Sequence, residues 1–137
     1  MAQRAREHGN HPFGALLVKD GAILLEAENT IITDRDITRH AELNLVSQAS
    51  RTFDADVLMN STLYTSTEPC PMCAGAIYWA NIGTVVYGCS VEALARVTGS
   101  GLPLPCRDIF ARGSSHIEVI GPLLEQDAIR VHEAYWK

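Results

Sequence analysis

The chain lacks any apolar run approaching the length that spans a membrane, and its start, Met1-Ala2-Gln3-Arg4-Ala5-Arg6-Glu7-His8-Gly9, lacks the apolar stretch of a secretory signal. A cytoplasmic location is the expectation. A basic stripe is missing too: the eleven Lys and Arg residues are scattered and the formal net charge is −5. Nucleic-acid binders draw much of their affinity from clustered cations that neutralise phosphates. Composition therefore points to a small-molecule substrate, with no nucleic acid and no membrane as partner. No internal repeat, low-complexity tract or linker interrupts the chain. Cysteine is sparse, at four residues, and in a reducing compartment these are thiols, metal ligands or core side chains rather than disulfides.

What is present is an ordinary globular composition, 47% hydrophobic and 20% charged over 137 residues. That length suits one domain, residues 1–137, able to bury roughly two thirds of its unfolded surface. Residues 1–8 suit a short helix stopped by Gly9. Phe13–Val18 and Ala22–Ala27 are apolar runs joined by Lys19-Asp20-Gly21, which predicts an antiparallel hairpin because Asp-Gly suits a tight turn. Residues 29–38 are polar and predict a loop. Ala41, Leu45, Val46 and Ala49 recur at helical spacing and predict a helix over 39–50.

Thr62–Ser66 predicts a strand, and Pro71 at a first helical position opens a helix in which Met72, Ala76 and Trp79 share a face. Thr84–Tyr87 predicts another strand, 92–96 a brief helix, and 97–107, dense in glycine and proline, a loop. His116–Ile120 predicts a strand. Leu124, Ala128, Val131 and Tyr135 then form the apolar stripe of a final helix with Pro122 near its start. This order predicts an α/β fold, a three-layer α/β/α arrangement with a central mixed sheet of about five strands.

Chemistry concentrates in two places: His40-Ala41-Glu42 at one helix start and Pro69-Cys70-Pro71-Met72-Cys73 at the next. Two cysteines at Cys-x-x-Cys spacing can set both sulfurs on one ion, and an imidazole from another element supplies a third ligand. A helix N-terminus stabilises the thiolate form that binds zinc. A structural zinc site needs four protein ligands, whereas a catalytic one leaves a position for water. Cys89 and Cys106 belong to no second Cys-x-x-Cys pair, so His40, Cys70 and Cys73 predict an open Zn²⁺ site. Glu42 is the carboxylate placed to accept a proton beside it. Positions two apart on an ideal helix point almost oppositely, so His40 and Glu42 converge only if His40 lies at or before the first turn.

These motifs resemble the cytidine-deaminase-like zinc deaminases, whose signature is His-x-Glu with Pro-Cys-x-x-Cys. The likeness runs from Pro12-Phe13-Gly14-Ala15 through Asn29 to Thr65–Trp79, is continuous over residues 12–90, and is strongest to bacterial guanine deaminases. It implies hydrolysis at the amino-bearing carbon of a base, with Glu42 taking a proton from water and relaying it to the ring nitrogen and the departing ammonia. It further implies that Phe13 stacks on the base while Asn29 and the backbone amide of Ala41 hydrogen-bond it. Trp79 and Trp136 are further candidates for substrate contact. Thr98-Gly99-Ser100-Gly101 stands where guanine deaminases carry a purine-recognising aspartate, and Asp108 from the same loop is the candidate replacement.

The expected activity is deamination of guanine or a related amino-purine, with the loop 97–112 and Tyr135-Trp136 capping the pocket. Three alternatives stay open: a tRNA adenosine deaminase, a nucleoside or cytosine deaminase, and a non-catalytic zinc module. The family likeness and the apolar face around Trp79 also predict a homodimer.

Overall fold

Asp20 and Gly21 both take positive φ, 51° and 76°, the backbone of a primed turn whose twist matches the strands it joins. Those strands are β1 (Gly14–Lys19) and β2 (Ala22–Glu28), paired antiparallel with Lys19 opposite Ala22. The computed structural model describes residues 1–136 of the chain. Three further strands, β3 (Thr62–Thr67), β4 (Thr84–Cys89) and β5 (Glu118–Ile120), complete a sheet in the order β2-β1-β3-β4-β5. β1 runs antiparallel to both neighbours, while β3, β4 and β5 are parallel. The expected mixed five-stranded sheet is therefore present.

Helices are α1 (Ala2–Glu7), α2 (Ile31–Asp34), α3 (Ala41–Thr52), α4 (Ala55–Met59), α5 (Pro71–Ala80), α6 (Val91–Thr98), α7 (Cys106–Phe110) and α8 (Glu125–Ile129). Alternation along the strands sends Ala15, Leu17, Leu63 and Val85 to one face. There they form the core with Leu45 and Ala49 of α3, Ile77 of α5 and Phe110 of α7. α1 packs on β1 and β2, and α8 on β4, from the other face. At Gly88 a side chain would meet Ala128 Cβ at 2.7 Å, so the close crossing of α8 over β4 requires glycine. No helix among the described residues is long and apolar enough to cross a membrane.

Three elements depart from the sequence expectation, each through a distant partner. The loop expected over 29–38 contains α2, whose free N–H groups at Ile32 and Thr33 donate to Oδ1 of Asn10 at 3.1 and 3.0 Å. The loop expected after residue 97 contains α7, whose first N–H, at Cys106, donates to Glu68 Oε2 at 2.9 Å. The expected final helix is cut short: α8 ends at Ile129, a 3₁₀ turn covers Arg130–His132, and Ala134 adopts φ 58°. Leu124 is left 71% exposed, outside any apolar stripe. The aromatic contacts of Tyr135 and Trp136 described below draw the chain end away from helical geometry.

Candidate active site

α3 packs against α5, and the residue immediately before each helix carries a metal-ligating side chain. His40 is the N-cap of α3, with extended backbone at φ −65° and ψ 153°. Cys70 is the N-cap of α5, with φ −67° and ψ 170°, and Pro71 follows at the first helical position. Neither side chain caps its own helix. They turn to each other instead: His40 Nδ1 lies 3.5 Å from Cys70 Sγ and 3.5 Å from Cys73 Sγ. The three ligand atoms all lie within 4.8 Å of one another.

These separations fit zinc. A tetrahedral ion about 2.3 Å from sulfur and about 2.05 Å from nitrogen sets such atoms about 3.6 Å apart, against 3.5 Å here. The donor set, two sulfurs and one imidazole, is borderline-soft in the way Zn²⁺ prefers. His40, Cys70 and Cys73 could thus hold the metal. Cys89 and Cys106 are buried elsewhere and take no part in the cluster.

Electrostatics favour one thiolate already. Cys70 is drawn down to about 4 by its hydrogen bond with Cys73, against the opposing effect of burial, and by His40. The same contact pushes Cys73 up, with burial and Glu42 adding to it. His40 is raised by its hydrogen bond to Cys70. Glu42, 5% exposed at the second position of α3, is raised to about 7, first by burial and then by the Cys70 charge. Removing a carboxylate from water favours its neutral form, which explains the direction.

A cavity of about 540 Å³ opens onto this cluster. His40, Cys70 and Glu42 line it, with Cys73 buried behind them. Phe13 and Trp136 form an aromatic side, with ring centroids 6.1 Å apart. Leu94, Leu102 and Pro103 supply apolar wall from the segment after β4. No Lys or Arg among the described residues lines it.

The other sequence candidates are not among the cavity-lining residues. Asn29 is buried, but its Oδ1 accepts the N–H of Ile31 at 3.1 Å, and it is not among the cavity residues. Ala41, whose backbone amide is the candidate contact, is fully buried at the first position of α3, between the cavity residues His40 and Glu42. Trp79 is 83% exposed on α5, away from the cavity, with its ring against Tyr78. Asp108 is exposed on α7 and does not reach the cavity.

Sequence reasoning missed Glu68. Its carboxylate is buried and accepts two backbone N–H groups, Val91 at 3.1 Å through Oε1 and Cys106 at 2.9 Å through Oε2, tying α6 and α7 to the end of β3. A carboxylate beside Pro-Cys carries no local signal of such a role, because both of its partners lie more than twenty residues away.

The chain is similar to known proteins. A Schizosaccharomyces pombe protein named "Probable cytosine deaminase" is 38% identical over 99% of this chain and 86% of its own length. The solved guanine deaminase of Bacillus subtilis superposes with a TM-score of 0.61 at 31% identity, covering 98% of this chain and 85% of that one. A structure from work on A-to-I editing by tRNA:A34 deaminases superposes with a TM-score of 0.72 at 28% identity, covering 95% of this chain and 91% of that one. The sequence profile of the cytidine and deoxycytidylate deaminase zinc-binding region matches residues 1–89, and the chain belongs to that zinc-dependent deaminase family.

Proposed function

We propose that this chain deaminates a free nucleobase, acting as one deaminase domain over residues 1–137. The carrying observation is the cavity: an aromatic and apolar enclosure beside the ligand cluster, with no cation among the described residues to meet a phosphate. A flat heterocycle gains from stacking on Phe13 and Trp136, while a nucleotide would bury its phosphate unpaired.

In this proposal His40, Cys70 and Cys73 hold zinc, which when bound supplies Lewis-acid activation of water. Glu42 takes one proton from the attacking water and delivers it to the ring nitrogen, then carries the second, from the new hydroxyl, to the leaving amine. A C–O bond forms, the C–N bond breaks and ammonia departs. Burial excludes bulk water from Glu42, so the proton passes between carboxylate and substrate and is not lost to solvent.

Guanine, whose 2-amino group is the one that leaves, keeps two ring N–H groups, at N1 and N9, that need acceptors, whereas cytosine keeps one, at N1. Asp108 lies outside the cavity, and both oxygens of Glu68 are taken by backbone N–H groups. This favours cytosine over guanine within the same class, in line with the Schizosaccharomyces pombe relative. The test is ammonia release from cytosine, guanine, guanosine, a cytidine monophosphate and a tRNA anticodon stem at one salt concentration. A free base should give the highest kcat/KM; a tRNA preference overturns the proposal.

We also propose that a second copy of the chain covers Trp79, since Met72 and Trp79, 38% and 83% exposed, share one face of α5 and leave it apolar towards water. Sedimentation at micromolar concentration tests this. A monomer that persists there overturns it.

A further inference from the structure

Of the histidines, His132 alone is wholly buried, and it is not among the cavity residues. It nevertheless joins two residues that are, Thr67 and Trp136. The indole N–H of Trp136 donates to His132 Nδ1 at 3.1 Å. An Nδ1 that accepts carries no proton in the neutral ring, so the proton sits on Nε2. That N–H donates to Thr67 Oγ1 at 3.0 Å. Thr67 ends β3, next to Glu68, which is itself fixed by two backbone N–H groups.

The last described residue is tied through one imidazole to the central sheet. The imidazole also lies 5.1 Å from the Phe13 ring, and His11 stacks on Trp136 at 5.0 Å and 25°. Arg6 adds a bond to Val131 O at 3.0 Å and sits over the Tyr135 ring at 5.4 Å. The indole is therefore held on its edge by His132 and on its face by His11.

We propose that His132 is a positioning residue that locks Trp136 against β3, so that substrate meets an aromatic wall already in place. A preformed wall spares the ordering of a terminal side chain on binding, which strengthens binding without touching the chemical step. The kinetic part rests on the proposed deamination of a free base; the lock itself does not.

The lock is tested on the unmodified protein by indole N–H exchange in ¹H–¹⁵N spectra. The Trp136 indole should exchange at least about tenfold more slowly than it does in the same protein unfolded in urea. Equal rates overturn the lock whatever the substrate is. His132→Gln and Trp136→Phe should each raise KM for the base about fivefold, the worth of one neutral hydrogen bond, with kcat within about twofold. Because His132 acts through Trp136, the double variant should be no worse than the weaker single one, within about twofold. Multiplying effects, or a fall in kcat at unchanged KM, overturn the positioning role. Slow indole exchange in a protein that deaminates no base would sustain the lock and sink the proposed function instead.

Discussion

His40 and Glu42 stand two positions apart and both line one cavity. On a continuous helix they would diverge by about 200°. They converge because His40 is the N-cap of α3, still extended at ψ 153°, whereas Glu42 is already inside the helix. The helix start thus lets one segment offer a ligand and a proton carrier to the same space. Cys70 repeats the arrangement on α5, so two helix N-termini, each a region of positive potential, flank the thiolate.

Cys73→Ala should lose most bound zinc. Two remaining ligands, one nitrogen and one sulfur, make a poor tetrahedral site. Metal analysis of purified protein should find about one zinc per chain in the unmodified form and far less in the variant. Full occupancy in both Cys70→Ala and Cys73→Ala rejects the ligand assignment.

Glu42→Gln should fold, keep zinc and lose turnover by about a thousandfold or more, since it removes a proton carrier while preserving shape. The check is kcat alongside metal content on one preparation. Near-normal turnover means that a different residue moves the proton, and loss of zinc would make Glu42 a ligand.

Glu68→Ala leaves the N–H groups of Val91 and Cys106 buried without an acceptor. Each of the two orphaned donors costs about 1–3 kcal/mol, so unfolding by urea should show a loss of about 2–6 kcal/mol. A loss under about 1 kcal/mol would mean that water replaces the carboxylate with little penalty.

Acid should weaken the fold through His132, which burial, with a smaller effect of Arg6, holds at about 4 against a usual 6.5. Between those values the unfolded chain binds a proton that the native chain excludes. Stability from this group is complete above about pH 6.5, declines as pH falls towards about 4, and is then level; allowing for partial screening, the loss is about 2–3 kcal/mol. His132→Gln should remove that component from the pH profile of urea unfolding. An identical acid slope in both proteins would assign it to other groups.

Short-range information placed the hairpin, a helix expected over 39–50 and found over 41–52, and the metal cluster. Asp-Gly dictates its own turn, Pro71 its own helix start, and Cys-x-x-Cys spacing sets two sulfurs within reach of one ion whatever surrounds them. His40 is legible as a helix-start residue, but the expected helix began at Arg39, and it is the structure that makes His40 the N-cap. What surrounds that cluster was decided only by the tertiary structure. α2 and α7 are too short to hold themselves and exist because Asn10 and Glu68 cap them from afar. The chain end leaves its helical period because Trp136 bonds back to His132 and stacks on His11. Asn29, a candidate through the family likeness, spends its side-chain oxygen on Ile31, while Asp108, a candidate through its place in the loop, and Trp79 are exposed. A cavity is a property of segments far apart in the chain, so the sequence names residues able to act on a base while packing decides which of them meet it.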